Sequence, residues 1–394
     1  MPIYNTPEIA KGVYAVGAKD WNRLVFDAFV PTPNGTSYNS YLVRGQDKTA
    51  LIDGVGPGFE SELAGKLAQL TDLAALDYII MNHAEPDHAT AIPTIMKACN
   101  ATLITSEKGA GMAARFHAVA PERIRTVKEG ETINLGGRTL RFIETPWLHW
   151  PETMMTYSVE DRILFSCDFF GAHSAFGTFE NDIDDIIPLA KSYFGEIMMP
   201  LRSFGKKAMD NLNGIDIAMI APSPGPVYKN PNLILEQYRI WVVGETRAKA
   251  IVAYVTMWNS TEKMVKIMVD ALSSYGIEVK TYNLLRDGFD HLSADLVDSR
   301  AFVLGTPTVL SNMHPATAYA LNVIKMLKPP VKYGVVLNSY GWGKGAVKAA
   351  SDFFEGAKIE NIGAVEVNGP PLEDDKLKIV ELARLLADKI LAGV

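Results

Sequence analysis

Cysteine is nearly missing from this chain. Cys99 and Cys167 are the only two in 394 residues, and no CxxC pair occurs. That excludes a disulfide framework and a thiolate-bound structural zinc, and it makes a reducing cytoplasm the expected compartment. Long apolar runs are missing as well, so no segment is long enough to span a bilayer as a helix. There is no basic excess: 38 Lys and Arg against 45 Asp and Glu leave a net charge of −7. Neither nucleic acid nor an anionic membrane is therefore an expected partner. The opening MPIYNTPEIAKG lacks the basic cluster and apolar stretch of a secretory leader. What is present is a chain that is 48% apolar and too long for one ordinary core, which predicts a soluble protein of two domains.

The densest chemistry lies in His83-Ala84-Glu85-Pro86-Asp87-His88, directly after the apolar run Tyr78-Ile79-Ile80-Met81. The run reads as a buried strand. Extended backbone past its end would point His83, Glu85 and Asp87 the same way, with His88 opening a helix. Imidazole and carboxylate donors without a thiolate suit zinc, iron or manganese at a working site. A lone histidine in a loop is usually a solvated or hydrogen-bonded residue, but four ligand types after one strand predict a metal site. His149, between two tryptophans, and Asp168, after Ile163-Leu164-Phe165, are weaker candidates. Each has an ordinary reading as a packed core histidine and a turn or capping carboxylate.

Along the first half, short strands are expected at 12–16, 24–30, 37–43 and 49–53, then helices near 60–69, through 95 and at 109–117, with a strand at 102–104. A second strand group follows at 140–144, 154–158 and 163–166. Residues 183–212 read as helical, 217–220 as a strand and 232–243 as a helix. The pattern is that of a layered α/β domain. The composition changes at 244–249, read as a linker between domains 1–246 and 249–394.

The second half restarts with the strand 250–255 and a helix at 262–272. Strands at 278–282, 301–304, 333–337 and 364–367 alternate largely with helices at 316–327, 345–355 and 375–391. This predicts an open, doubly wound parallel sheet with its ligand at the carboxyl ends of the strands. Three loops fall there. Thr256, Met257, Trp258, Asn259, Ser260 and Thr261 run into a helix N-terminus, where free amides favour a phosphate. Thr306, Pro307, Thr308 and Asn312, with Ser339, Tyr340, Gly341, Trp342 and Gly343, offer close backbone approach and aromatic rings. Neither a Walker A lysine nor a dinucleotide glycine fingerprint is present, and a planar ring plus a phosphomonoester suggests FMN. Any one loop reads as an ordinary cap or glycine turn; the three together favour a cofactor.

These residues resemble the flavodiiron proteins over the whole chain. The HxExDH of 83–88, the LHWP around His149, the SCD ending at Asp168 and the GWG at Trp342 all match. The resemblance implies a metallo-β-lactamase-like αββα sandwich followed by a flavodoxin-like domain. Hydrolytic zinc relatives carry histidine where this chain has Glu85, and the carboxylate shifts the preference toward iron. By position, the family pattern gives one iron His83, Glu85 and His149, gives the second Asp87 and His88, and bridges both with Asp168. The last ligand of the pattern is a histidine, and Pro224 stands in its place. The second iron is therefore expected to be weakly held, with activity reduced or altered in its choice of gas. None of the remaining histidines, His117, His173, His291 or His314, falls in that segment.

The implied reaction is reduction of dioxygen to water, or of nitric oxide to nitrous oxide, by electrons that enter through FMN. The implied donor is a separate rubredoxin-like protein or reduced deazaflavin, since the CxxC pairs of an appended module are absent. The resemblance further implies a head-to-tail homodimer, or a tetramer, that brings the FMN of one subunit beside the irons of the other. Two alternatives stand beside it: a zinc hydrolase with a structural flavin, against which Glu85 speaks, and an FMN electron carrier whose metal site is impaired at Pro224.

Overall fold

The computed structural model describes residues 4–393. They form two compact units: one runs up to Phe194 and adds Leu201–Arg239, and the other takes Gly195–Pro200 and the chain from Ile240 onward. No helix among the described residues is long and apolar enough to cross a membrane.

The first unit is built on two facing sheets. The seven-stranded sheet has the order Glu8–Ala10, Val13–Ala15, Tyr41–Arg44, Thr49–Ile52, Tyr78–Ile80, Thr102–Ser106, Ile124–Val127. Its last three pairings are parallel and the earlier ones antiparallel. The five-stranded sheet runs Thr132–Asn134, Thr139–Glu144, Met154–Ser158, Ile163–Cys167, Met219–Pro222, with only the last pairing parallel. Alternate residues of both sheets, among them Ile52, Ile80, Ile104, Phe142, Met154 and Phe165, meet in one apolar layer. A second layer seats the helices Glu60–Leu70 and Ile92–Ala98 on the outer face of the larger sheet through Leu63, Leu67, Ile92 and Ile95.

The second unit is a parallel sheet of order Glu278–Asn283, Arg247–Tyr254, Ser299–Val309, Tyr333–Tyr340, Glu360–Asn368, with Asn312–Met313 added antiparallel. The order reverses at Arg247–Tyr254, so the three candidate cofactor loops share one end of the sheet. Helices Ser260–Ser274 and Glu373–Leu391 cover it through Met264, Met268, Ile379, Leu382 and Leu386.

Several sequence-based bounds move. The single strand expected over 24–30 is a tight hairpin, Val25–Phe26 against Val30–Pro31, because Asp27 and Ala28 both turn at positive φ. The strand expected over 37–43 is two, Thr36–Tyr38 and Tyr41–Arg44, which serve different sheets. The linker read over 244–249 already holds the start of strand Arg247–Tyr254. There exposed Arg247 pairs with Asp298 at 3.1 Å, and buried Lys249 pairs with Asp295 and Asp298. The helical stretch 183–212 is broken into Ile187–Tyr193, a π turn at Phe194–Met198, a 3-10 turn at Met199–Leu201 and Arg202–Leu212.

Two consequences are measurable. Leu386 is fully buried against the second sheet, so Leu386→Ala is expected to cost about 2–5 kcal/mol. Denaturant unfolding should show it as a lowered midpoint; an unchanged midpoint would remove that helix from the core. Lys19 is held down to about 8 by burial and by Lys66, against a weaker pull from Asp182. The unfolded chain then binds more protons between pH 8 and the ordinary lysine value of 10.5, and stability rises with pH across that window. Lys19→Met should be more stable than wild type at pH 7, and the gain should shrink from pH 8 upward; parallel curves would contradict a lowered Lys19.

Candidate metal centre

The strand Tyr78–Ile80 delivers the chain to the gap between the two sheets, and hydrogen bonds then fix its next residues. Asn82 donates through its backbone and side-chain nitrogens to Asp53, at 2.7 and 2.9 Å, and accepts from the Thr156 hydroxyl at 2.8 Å. Both sheets thus grip the residue before His83. Glu152 accepts from the Ala84 amide at 2.9 Å and lies 2.7 Å from His83 Nδ1, while His117 Nε2 lies 2.7 Å from the Ala84 carbonyl. With Glu152 as acceptor, Nδ1 carries the proton and Nε2 keeps its lone pair, the tautomer a metal ligand needs.

The backbone stays extended only as far as Glu85, the N-cap of a short helix, Pro86–Ala89, with Pro86 at its first position. Asp87 therefore reaches the cluster from a helical turn and not from a continuing strand. Proline at that position is preset for helix and stops the extension.

His83, Glu85, His88 and Asp168 offer ligand atoms that all lie within 4.8 Å of one another. His149 joins through Nε2, 2.9 Å from Glu85 Oε2, and Asp87 joins through Oδ2, 3.2 Å from His88 Nε2. Asp168 divides its oxygens. Oδ2 faces His83 at 3.3 Å and His149 at 3.5 Å, while Oδ1 faces His88 at 3.0 Å. All six residues expected at the metal site are thus brought together. Two of them sit beside left-handed backbone, with Cys167 at φ 50 and Trp147 at φ 70. Such conformations cost on the order of 1–3 kcal/mol each and gather at working sites.

The electrostatics are those of a charged cluster largely withdrawn from water. Burial would raise Glu85, but hydrogen bonds from His149 and His83 hold it down to about 2. Burial likewise opposes ionisation of Asp168, and the surrounding imidazoles, His88 foremost, outweigh it and lower it. Asp87 goes the other way, pushed up to about 6 by burial. His88 is raised to about 9, because Asp87 and Asp168 outweigh the burial that disfavours its charge. Asp87 Oδ1 and Asp168 Oδ2 are buried without a hydrogen-bond partner. Carboxylate oxygens left orphaned among imidazoles fit a site completed by cations.

Pro224 lies at the end of strand Met219–Pro222 and contributes no donor. His173 follows Asp168 by five residues, and the charges of Asp168, Glu85 and His88 act on its ring. Its Nδ1 is 3.0 Å from Thr36 Oγ1, its ring lies between Phe26 and Tyr193, and burial holds it down to about 4. Sequence reading did not single out Glu152, Asp53, Asn82 or His117 as site residues, because their roles come from contacts between residues distant in the chain.

In the second unit a cavity of about 520 Å³ opens at the strand ends, a size suited to a cofactor. Met257, Trp258, Ser260, Pro307, Thr308 and the run Ser339 to Gly343 line it, as do Leu310, Ser311 and Gly369, which sequence reading did not single out. Thr256, Asn259, Thr261, Thr306 and Asn312 are not part of the lining. Thr261 supports it from behind through a 2.8 Å bond to Ser339, and Thr306 accepts from the His314 amide. Thr256 Oγ1 is buried without a partner just before helix Ser260–Ser274, and Asn259 caps that helix at φ 64. An orphaned hydroxyl beside a helix N-terminus fits a phosphate group.

Residues 36–225 match the family model described as ODP family beta lactamase. A nitric oxide reductase from Moorella thermoacetica is 38% identical, covering 97% of this chain and 98% of its own. A coenzyme F420H2 oxidase from Methanocaldococcus jannaschii is 31% identical, covering 97% and 96%. Among solved structures, the rubredoxin oxygen:oxidoreductase from Desulfovibrio gigas superposes with a TM-score of 0.95 at 29% identity, over 98% of this chain and 99% of that one. The flavodiiron protein from Giardia intestinalis gives 0.92 at 26% identity, over 100% and 98%. With a sheet sandwich that gathers three imidazoles and three carboxylates, and a parallel-sheet unit with a cofactor-sized cavity, this chain belongs to the flavodiiron protein family.

Proposed function

We propose that this chain reduces dioxygen to water, nitric oxide to nitrous oxide, or both, using FMN and a pair of irons. Its electrons come from a rubredoxin-like protein or a reduced deazaflavin, donors consistent with the names of its relatives. The observation that carries the reading is the divided carboxylate of Asp168, one oxygen toward His83 and His149 and the other toward His88. One carboxylate facing two sets of donors suits two metals and has little purpose for one. Domain 1–246 would hold the metals and domain 249–394 the flavin. Two free, buried cysteines agree with a reducing cytoplasm.

His83, Glu85 and His149 would hold one iron, Asp87 and His88 the other, and Asp168 both. The bound groups supply the redox chemistry: a flavin that carries one or two electrons, and a metal pair that shares them with the diatomic substrate. The chain's own residues do the rest. Glu152 fixes the His83 tautomer, and Glu85 places a hard oxygen between two imidazoles, which favours iron. In the second unit the amides opening helix Ser260–Ser274 would meet the phosphate, and the rings of Tyr340 and Trp342 would lie along the flavin.

Each unit leaves aromatic surface in water. Trp147 beside His149 is 42% exposed and contacts exposed Phe204, while Trp342 at the cavity rim is 99% exposed and Leu310 96%. A second copy of the chain, arranged head to tail, would cover both surfaces at once.

Two experiments test this. Protein made with iron supplied should carry FMN and about two irons per chain, and with a reduced donor it should consume oxygen or nitric oxide. Zinc with esterase activity and no gas consumption would replace the reading with a hydrolase. Light scattering should give a dimer or tetramer, and charging Trp147 and Trp342 (Trp147→Glu with Trp342→Glu) should shift it toward monomer; a monomeric wild type ends the head-to-tail arrangement.

A further inference from the structure

The second metal position has three donors in the proposed set: Asp87, His88 and Asp168. Three is one short of the usual minimum of four for such ions, and solvent otherwise fills the gap. Five residues past Asp168, and within reach of the charges of Asp168, Glu85 and His88, is a buried imidazole nitrogen with no hydrogen-bond partner, His173 Nε2. We infer that His173 is itself a metal ligand, supplying through Nε2 the donor that Pro224 cannot.

The turn from Asp168 to His173 is packed onto the Pro224 loop. Gly171 donates to the Asp168 carbonyl at 3.0 Å, and Ala172 donates to the Pro224 carbonyl at 3.1 Å. A Cβ on Gly171 would stand 2.7 Å from Pro224 Cγ, and one on Gly225, at φ +96, 2.9 Å from the Ala172 nitrogen. His173 thus belongs to the segment pressed against the one that carries no donor. Its ring is held on three sides. Phe26 and Tyr193 flank it with centroids at 4.8 and 4.9 Å, and Thr36 Oγ1, itself buried, lies 3.0 Å from Nδ1.

If Nδ1–H donates to Thr36, the lone pair is on Nε2, the orphaned atom. An outer hydrogen bond that fixes the tautomer of a ligand is the same device that Glu152 provides for His83. The charged groups that act on the ring are Asp168, Glu85 and His88, all members of the cluster. A histidine kept merely for packing would not need a fixed tautomer, and a buried ring nitrogen normally has a protein partner.

This assignment rests on the two-iron reading above, and its test separates the two. Anaerobic iron titration should load about two irons on the wild type. His173→Phe preserves the aromatic stack and removes the donor. It should keep one iron tight and weaken the other at least tenfold, and adding Pro224→His to it should restore the second. A wild type that never takes two irons overturns the reading and this assignment together. A wild type with two irons, and His173→Phe with the same two at the same affinity, overturns this assignment alone. A crystal structure of the iron-loaded wild type decides it without any variant: Nε2 should lie about 2.1 Å from the second metal, and separation beyond hydrogen-bonding distance refutes it.

Discussion

The structure turns on one constraint: opposite charges forced together out of water. Asp168 is 2% exposed, His83 is fully buried and His88 nearly so. Isolated, any of them would be costly in that place, and each is tolerable because the others surround it. That mutual dependence explains the supporting architecture. Asn82 is tied to both sheets, Glu152 grips His83 and Ala84, and Asp168 caps a strand whose last residue is turned left-handed. The sandwich is a scaffold that holds charges at separations they would not adopt by themselves.

The same constraint decides which metals suit the site. Glu85 replaces what could have been a fourth imidazole with a permanently anionic oxygen, held ionised by His149 and His83. With Asp87 and Asp168 the cluster carries three carboxylates against three imidazoles. Such a balance favours cations that alternate between charge states over a fixed dication bound by nitrogen alone. The second unit shares none of this character. Its site is a cavity of small residues and aromatic rings at the reversal point of a parallel sheet, shaped for a flat organic group.

Much of this was legible in the residues themselves. The HxExDH run, the strand leading into it and the alternation in the second half are local patterns, and local patterns survive in one dimension. Asp87 reaches the cluster by a different route from the expected one. Alternation along an extended strand suggested convergence, whereas Pro86 starts a helix and the turn brings Asp87 round. Glu152 was invisible because its role comes from a contact between residues 69 apart. Arg247 and Lys249 looked like linker charges because sequence does not show the acids of a distant helix end that neutralise them. The hairpin at Val25–Phe26 looked like one strand because its turn has no glycine or proline and relies on Asp27 and Ala28 at positive φ.

The indole of Trp342, left almost wholly in water, carries a further consequence. Indole emission depends on the polarity around the ring, and a flavin stacked nearby would quench it by energy transfer. Trp258, 87% exposed at the same cavity, would respond alongside it. The molecule therefore contains its own optical gauge, one whose brightness and colour would report flavin loading in a cuvette without any attached dye.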